Sequence, residues 1–189
     1  MNGRAGLSGR VLAVGLIGLL LPPGMMPLAG CASVTSPDER LADALFGGSA
    51  DGLTAADQAE IAGQLGLLLG ADGLTPVDPF CGMPIEHSVT FPDLDEDGVA
   101  EVAVQAGNAC SAGSTGSTLW LFRRSESGRF VSILMAPALG FTVVTGAQTA
   151  LPDLELGGPG FCHAVWRWRG SAYQYAYDRP ETPEGCDQR

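Results

Sequence analysis

The chain contains no lysine: all ten basic side chains are arginine, set against 21 carboxylates and two histidines. Without lysine there is no phosphate-loop signature, and no Gly-x-Ser-x-Gly elbow presents a serine nucleophile. The Cys-x-x-Cys and His-x-x-x-His spacings that gather zinc ligands are missing as well. His87 follows Glu86 with no recognisable partner, and His163 adjoins Cys162, where strand neighbours point apart instead of forming a dyad. With these signals missing, no catalytic constellation stands out, and the chain reads as a binding protein, not an enzyme. A long hydrophobic run is lacking too. Apolar residues 11–21 stop at Pro22-Pro23-Gly24, short of the roughly 20 residues that a membrane-spanning helix needs.

What is present at the N-terminus is a secretory pattern. Arg4 and Arg10 precede the apolar run, and small residues follow it before Cys31. Leu28-Ala29-Gly30-Cys31 resembles the lipobox of bacterial lipoproteins. The resemblance implies cleavage before Cys31, acylation of that cysteine, palmitate among its acyl chains, and a lipid anchor. Two or more acyl chains hold a protein stably, where one is marginal. Ala32 follows the cysteine, where an aspartate in that family implies inner-membrane retention, so the outer membrane is expected, with the protein facing the periplasm or the exterior. Cleavage leaves eight arginines against 21 acids, a formal charge of −13. So acidic a chain is repelled by phosphate backbones, which excludes nucleic acid as a partner and leaves divalent cations and basic proteins.

Cys81, Cys110, Cys162 and Cys186 remain once Cys31 is assigned to lipid. An even number in an exported chain implies disulfides, and four cysteines allow three connectivities. A hairpin of residues 87–91 with 100–106 would bring Cys81 and Cys110 out at one end. A second hairpin after Cys162 would let Cys186 return beside it. Cys81–Cys110 and Cys162–Cys186 are therefore expected, each worth about 3 kcal/mol in the chain-entropy model. The alternative is a zinc site drawing on His87 or His163.

Residues 1–30 read as a signal peptide, 31–36 as a lipidated tether and 37–189 as one domain. Ser36-Pro37-Asp38-Glu39 carries a capping box with proline at the first helical position, and Gly47-Gly48 stops that helix. A second helix opens at Thr54, and Ile61, Leu65, Leu68 and Leu69 keep a helical period. From residue 87 the pattern turns to strands: "VAEVAV", "STLWLF", "RFVSILM", "FTVV", "LPDLEL", "AVWRW" and "AYQYAY". The fold class expected is α+β, two N-terminal helices packed on a small, mainly antiparallel sheet and stapled by two disulfides. A faint internal echo runs through the strands. Glu101 and Cys110 recur as Asp153 and Cys162 at an offset of 52, while "FPDLDEDG" and "LPDLELGG" align at 60. The two alignments are incompatible.

The densest signal is "FPDLDEDGVAEVAV", residues 91–104. Asp93, Asp95, Asp97, the carbonyl of Val99 and Glu101 fall at alternate positions around Gly98, as a loop wrapping a hard cation requires. An EF-hand would need glutamate where Val104 stands and a helix after it. The stretch instead resembles the Asp-x-Asp-x-Asp-Gly-x-x-Asp loop of FG-GAP and VCBS-type repeats. In that family the loop lies between two strands and binds calcium, which implies calcium ligation by those five residues here. Glutamate replaces the last aspartate, the Phe-Gly-x-Gly-Ala-Pro motif is absent, and one copy cannot build a propeller of at least four blades. Aspartates and glycine also build plain acidic turns. The nearest arginines in sequence, Arg40 and Arg123, are not adjacent to the loop.

"WRWRG" places Trp166 and Trp168 on one face of a strand and Arg167 and Arg169 on the other. The plain reading is core tryptophans with solvated arginines; the other is a partner surface, since Trp and Arg are favoured anchors. "CSAGSTGST", residues 110–118, reads as a small polar loop. The function expected is an outer-membrane-anchored, non-catalytic binding lipoprotein with one calcium loop stiffening its sheet, its partner an envelope or extracellular protein. The alternative is an envelope inhibitor of a basic hydrolase such as lysozyme, steered by acidic charge.

Overall fold

The computed structural model describes residues 35–186 apart from 49, 51, 147, 148 and 184. Cys31 and the expected signal lie outside them. Among the described residues no helix is long and apolar enough to cross a membrane. The domain is mixed α+β and mostly sheet, with both expected disulfides formed: Cys81–Cys110 and Cys162–Cys186.

Helix α1 (Pro37–Phe46) begins with Ser36 accepting the Glu39 N–H while Glu39 returns to the Ser36 N–H, and it ends at left-handed Gly47. Helix α2 (Ala55–Gln64) uses Thr54 and Asp57 in the same way. It stops earlier than its apolar period suggests. Gly66 takes φ 69°, and Leu68–Leu69 (β1) leave the helix to pair with Pro76–Val77 (β2) as a two-stranded ribbon. Two leucines at helical spacing are thus strand residues, because a left-handed glycine ends the helix before them.

The remaining strands form two four-stranded antiparallel meanders, so there are three sheets where one small one was expected. The first is β3 (Glu86–Thr90), β4 (Val102–Gly107), β5 (Thr118–Arg124) and β6 (Phe130–Pro137). The second is β7 (Phe141–Val144), β8 (Asp153–Leu156), β9 (Cys162–Trp168) and β10 (Tyr173–Pro180). Between β4 and β5 the serine-rich stretch is ordered. Asn108 caps a short helix α3 (Ala109–Ala112), followed by a 3₁₀ turn. The helices are therefore not confined to the N-terminal part.

Alternation along β4 and β5 divides the core in two. Val102, Val104, Ala106, Trp120 and Phe122 face the helices and pack on Leu41, Leu45, Phe46 and Ile61. Ala103, Leu119 and Leu121 face the other way, with Leu151, Leu154, Leu156, Trp168 and Tyr173 of the second half. Strand β5 is apolar on both sides because both are covered.

Polar residues one and two turns apart tie α2 to the β5–β6 hairpin. Glu60 pairs with Arg129 and accepts the Phe130 N–H, and Gln64 donates to the Phe130 carbonyl. Asp57 pairs with Arg124 at 3.0 Å, and that guanidinium also lies over the Phe130 ring. The Arg124 bond holds the Asp57 carboxyl down at about 2, against its ordinary 3.8. A depressed acid adds stability that is present above its unfolded value and lost as pH falls through the folded one. Asp57→Asn is therefore expected to cost about 1–2 kcal/mol at pH 7, after discount for partial exposure, with the deficit vanishing between pH 4 and 2. Urea melts at several pH values check this; a deficit persisting at pH 2 would assign the effect to the helix cap instead.

A candidate metal centre at the rim of the two-sheet core

The acidic loop joins β3 to β4. Leu94 pins it from within, buried among the residues between the two sheets. Positive φ at Glu96 (58°) and Gly98 (85°) winds the chain so that alternate aspartates face one way. Asp93 accepts the N–H groups of Asp97 and Gly98, and Asp97 accepts that of Val99. One oxygen each from Asp93, Asp95 and Asp97 lies within 4.8 Å of the others. Oxygens around a hard cation at about 2.4 Å stand no further apart than about twice that distance, so the three groups could hold a metal ion. Asp95 adds a second indication: its Oδ1 is buried without a hydrogen-bond partner, the one such side-chain atom among the described residues.

Glu101 behaves differently from the three aspartates. It is 2 % exposed and turns inward, where Oε2 accepts the Leu94 N–H at 3.0 Å. Burial pushes its carboxyl above the ordinary range, against the pull of the Leu94 N–H and Arg123. Arg123, far away in sequence, reaches all but one of these acids. Its Nη2 is 2.5 Å from Asp95 Oδ2 and 3.9 Å from Asp97, and its Nε is 3.5 Å from Glu101. The arginine thus supplies positive charge that the loop's own sequence lacks. Antiparallel pairing places it there: Val102 stands opposite Phe122, so Glu101 and Arg123 are the next pair along.

The second meander repeats this device without the loop. Asp153 opens β8, buried, and Arg167 of β9 grips it with Nε at 3.1 Å from both oxygens and Nη2 at 2.7 Å from Oδ2. The offset of 52 therefore relates two equivalent acids, Glu101 and Asp153, each at the foot of a second strand and paired with an arginine of the third. The cysteines at the same offset are not equivalent, since Cys110 lies in α3 and Cys162 opens β9. The offset of 60 matches a loop to a strand.

Trp168 is buried in the core, edge-on to Tyr173, and Trp166 packs partly buried beside it. Arg167 holds Asp153, and the exposed Arg169 donates its N–H to Ala172 in the turn into β10. The four residues divide between a core face and a charged face. Among the described residues all four cysteines are disulfide-bonded, leaving no thiolate there for zinc or for a Cys–His dyad, and His163 faces Glu181 at 3.7 Å. No protein-family model matches this chain, and neither does any curated protein or solved structure.

Proposed function

We propose that this chain is an anchored, non-catalytic binding module of the bacterial outer membrane whose loop 93–99 takes one calcium ion. Asp93, Asp95 and Asp97 would supply carboxylate oxygens and Val99 its carbonyl, with water completing the shell. Glu101 would stand behind them as the acid that seats the loop on β4 rather than as a ligand. The observation that carries this reading is the approach of Asp93, Asp95 and Asp97 oxygens to within 4.8 Å of one another, and the buried, partnerless Oδ1 of Asp95 supports it. Bound calcium would stiffen the β3–β4 connection and, through Leu94, the edge of the two-sheet core. The envelope or extracellular partner would meet a sheet made rigid in this way.

Calorimetric titration of calcium into oxidised residues 32–189 tests the reading. Saturable binding near one ion per chain is expected, with a Kd of roughly 10⁻⁵ to 10⁻³ M for so exposed a loop. Asp97→Asn, which keeps the Val99 bond but removes a charge, should weaken it at least about tenfold. No heat, with no rise in melting temperature at millimolar calcium, would make the stretch an acidic turn. The inhibitor of a basic hydrolase would then be the better reading, tested by salt-sensitive capture of lysozyme.

A further inference from the structure

The two disulfides sit in different surroundings. Cys162 and Cys186 are both half-buried, and the β9–β10 ladder closes beside them with Pro180 opposite Cys162. Cys110, in contrast, is exposed in α3, on the rim of a groove of ≈ 580 Å³ that Asp78 and Ser111 also line. Its partner Cys81 is half-buried in a turn that closes on itself. There the Gly82 N–H donates to the Asp78 carbonyl and the Asp78 N–H to the Met83 carbonyl. Thiol–disulfide exchange depends on access to the attacked sulfur, and exposed bridges are the labile ones. Cys110 is therefore the sulfur that a thiol from outside reaches first.

Asp78 decides what becomes of the sulfur left behind. It is 5 % exposed, and its Oδ1 accepts the N–H groups of Phe80 and Cys81 at 2.8 and 3.1 Å. The same oxygen lies 3.2 Å from Cys81 Sγ. A disulfide sulfur has no hydrogen to give, so that contact becomes a hydrogen bond only when Cys81 is a thiol. A buried carboxylate thus stands ready for the reduced form of Cys81, and bonds to an ionised acceptor are roughly twice as strong as neutral ones.

We propose that Cys81–Cys110 is a thiol-exchange site, modified at Cys110 by a thiol from outside the chain. The incoming sulfur bonds to Cys110 Sγ as the Cys81–Cys110 bond breaks. The proton that the thiol gives up ends on Cys81, where Asp78 accepts the S–H. One disulfide replaces another and one thiol replaces another, so the step needs no further oxidant. In the reverse step the Cys81 sulfur attacks Cys110, expels the thiol and restores the bridge. While the adduct stands, the turn 78–83 is untied from α3, and what still spans that gap is the Asn108 amide donating to the Pro84 carbonyl at 3.2 Å. The modification is thereby converted into local loosening. The inference depends on neither the anchor nor the calcium ion.

The test treats the oxidised full chain, as a bacterial host processes it, with reduced glutathione or with an unstructured peptide carrying one cysteine, in native buffer. Acid quenching, alkylation and mass mapping of chymotryptic peptides report each cysteine separately. Cys81–Cys110 is expected to open at least about tenfold faster than Cys162–Cys186, with the adduct on Cys110 and the alkylated thiol at Cys81. Exchange with both probes assigns the source to thiols in general, and exchange with glutathione alone assigns it to small thiols; either supports the site. Asp78→Asn keeps an acceptor for the two N–H groups but removes the charge. The share of adduct on Cys81 should then rise several-fold, a shift that altered stability alone does not produce. An unchanged distribution in that variant overturns the role given to Asp78. Bridges that open together, or an adduct carried mainly by Cys81 in the native protein, overturn the inference.

Discussion

Replacing Arg123 with glutamine is expected to destabilise the calcium-free protein by about 2–3 kcal/mol and to tighten calcium binding at least about tenfold. Removing one partner from a buried ion pair costs about 3–5 kcal/mol. The lower figure applies because Arg123 is 29 % exposed and Glu101 keeps its bond from the Leu94 N–H. The gain in affinity has the same origin. Arg123 occupies Asp95 Oδ2 and faces Asp97, so it competes for the carboxylates an ion would use, and a divalent ion a few ångströms from a guanidinium is repelled by a few kcal/mol even when well screened. Stability and affinity should therefore move in opposite directions. Saturating calcium should return part of the lost stability by mass action.

The pH dependence of that variant separates this account from simple loss of packing. Burial raises the Glu101 carboxyl above its ordinary value, so the folded protein binds its proton more tightly than the unfolded chain. Its contribution favours folding at low pH and declines as pH rises through the raised value. Arg123 opposes that decline by favouring the ionised form. Without it the deficit should be larger at pH 7.5 than near pH 4.5 by the share that Glu101 carries. Urea melts at the two pH values, with calcium chelated, make the comparison. An equal deficit at both would assign the arginine's contribution to its Asp95 pair and to packing and none to Glu101, and weaker calcium binding in the variant would overturn the competition.

The role of Arg123 is not legible in the sequence of the loop itself. The strands were legible because alternation survives without knowledge of partners, and the capping boxes were legible because they close within four residues. The disulfides followed from hairpin ends. Arg123 lies 28 positions from Asp95, and only the β4–β5 register brings it to the loop. The signal that would have found it was present: Val102, Val104, Trp120 and Phe122 all belong on the face under the helices, and matching the two pairs sets Glu101 opposite Arg123. The β1–β2 ribbon was hidden for a different reason. Leu68 and Leu69 continue the helical period of Ile61 and Leu65, and the left-handed Gly66 separates them from α2. The position of the acidic loop between strands is legible in the sequence, but the inward turn of Glu101 depends on Leu94 being buried, which needs the second sheet.

Removing both disulfides by Cys→Ala at all four positions is expected to cost about 6 kcal/mol, near 3 for each loop in the chain-entropy model. The loops span sequence separations of 29 and 24 residues. The total compares with the whole stability of an ordinary domain, about 5–15 kcal/mol, so the four-alanine chain should be marginal at 37 °C. The two bridges differ in what they hold in the folded state. Cys162–Cys186 closes a loop that the β9–β10 ladder already closes as far as Pro180 opposite Cys162, so its loss should leave native contacts largely intact. Cys81–Cys110 ties the turn carrying Phe80 to α3. There Asp78 also accepts the N–H groups of Phe80 and Cys81. Its loss should expose that turn to proteolysis below the global transition. If the effect lies in the unfolded chain, the denaturant slope m rises as the cross-links go, because the denatured ensemble expands. A double loss under about 1 kcal/mol, or an unchanged m with full loss of stability, would place the contribution in native contacts, with the bridges secondary to the two cores they join.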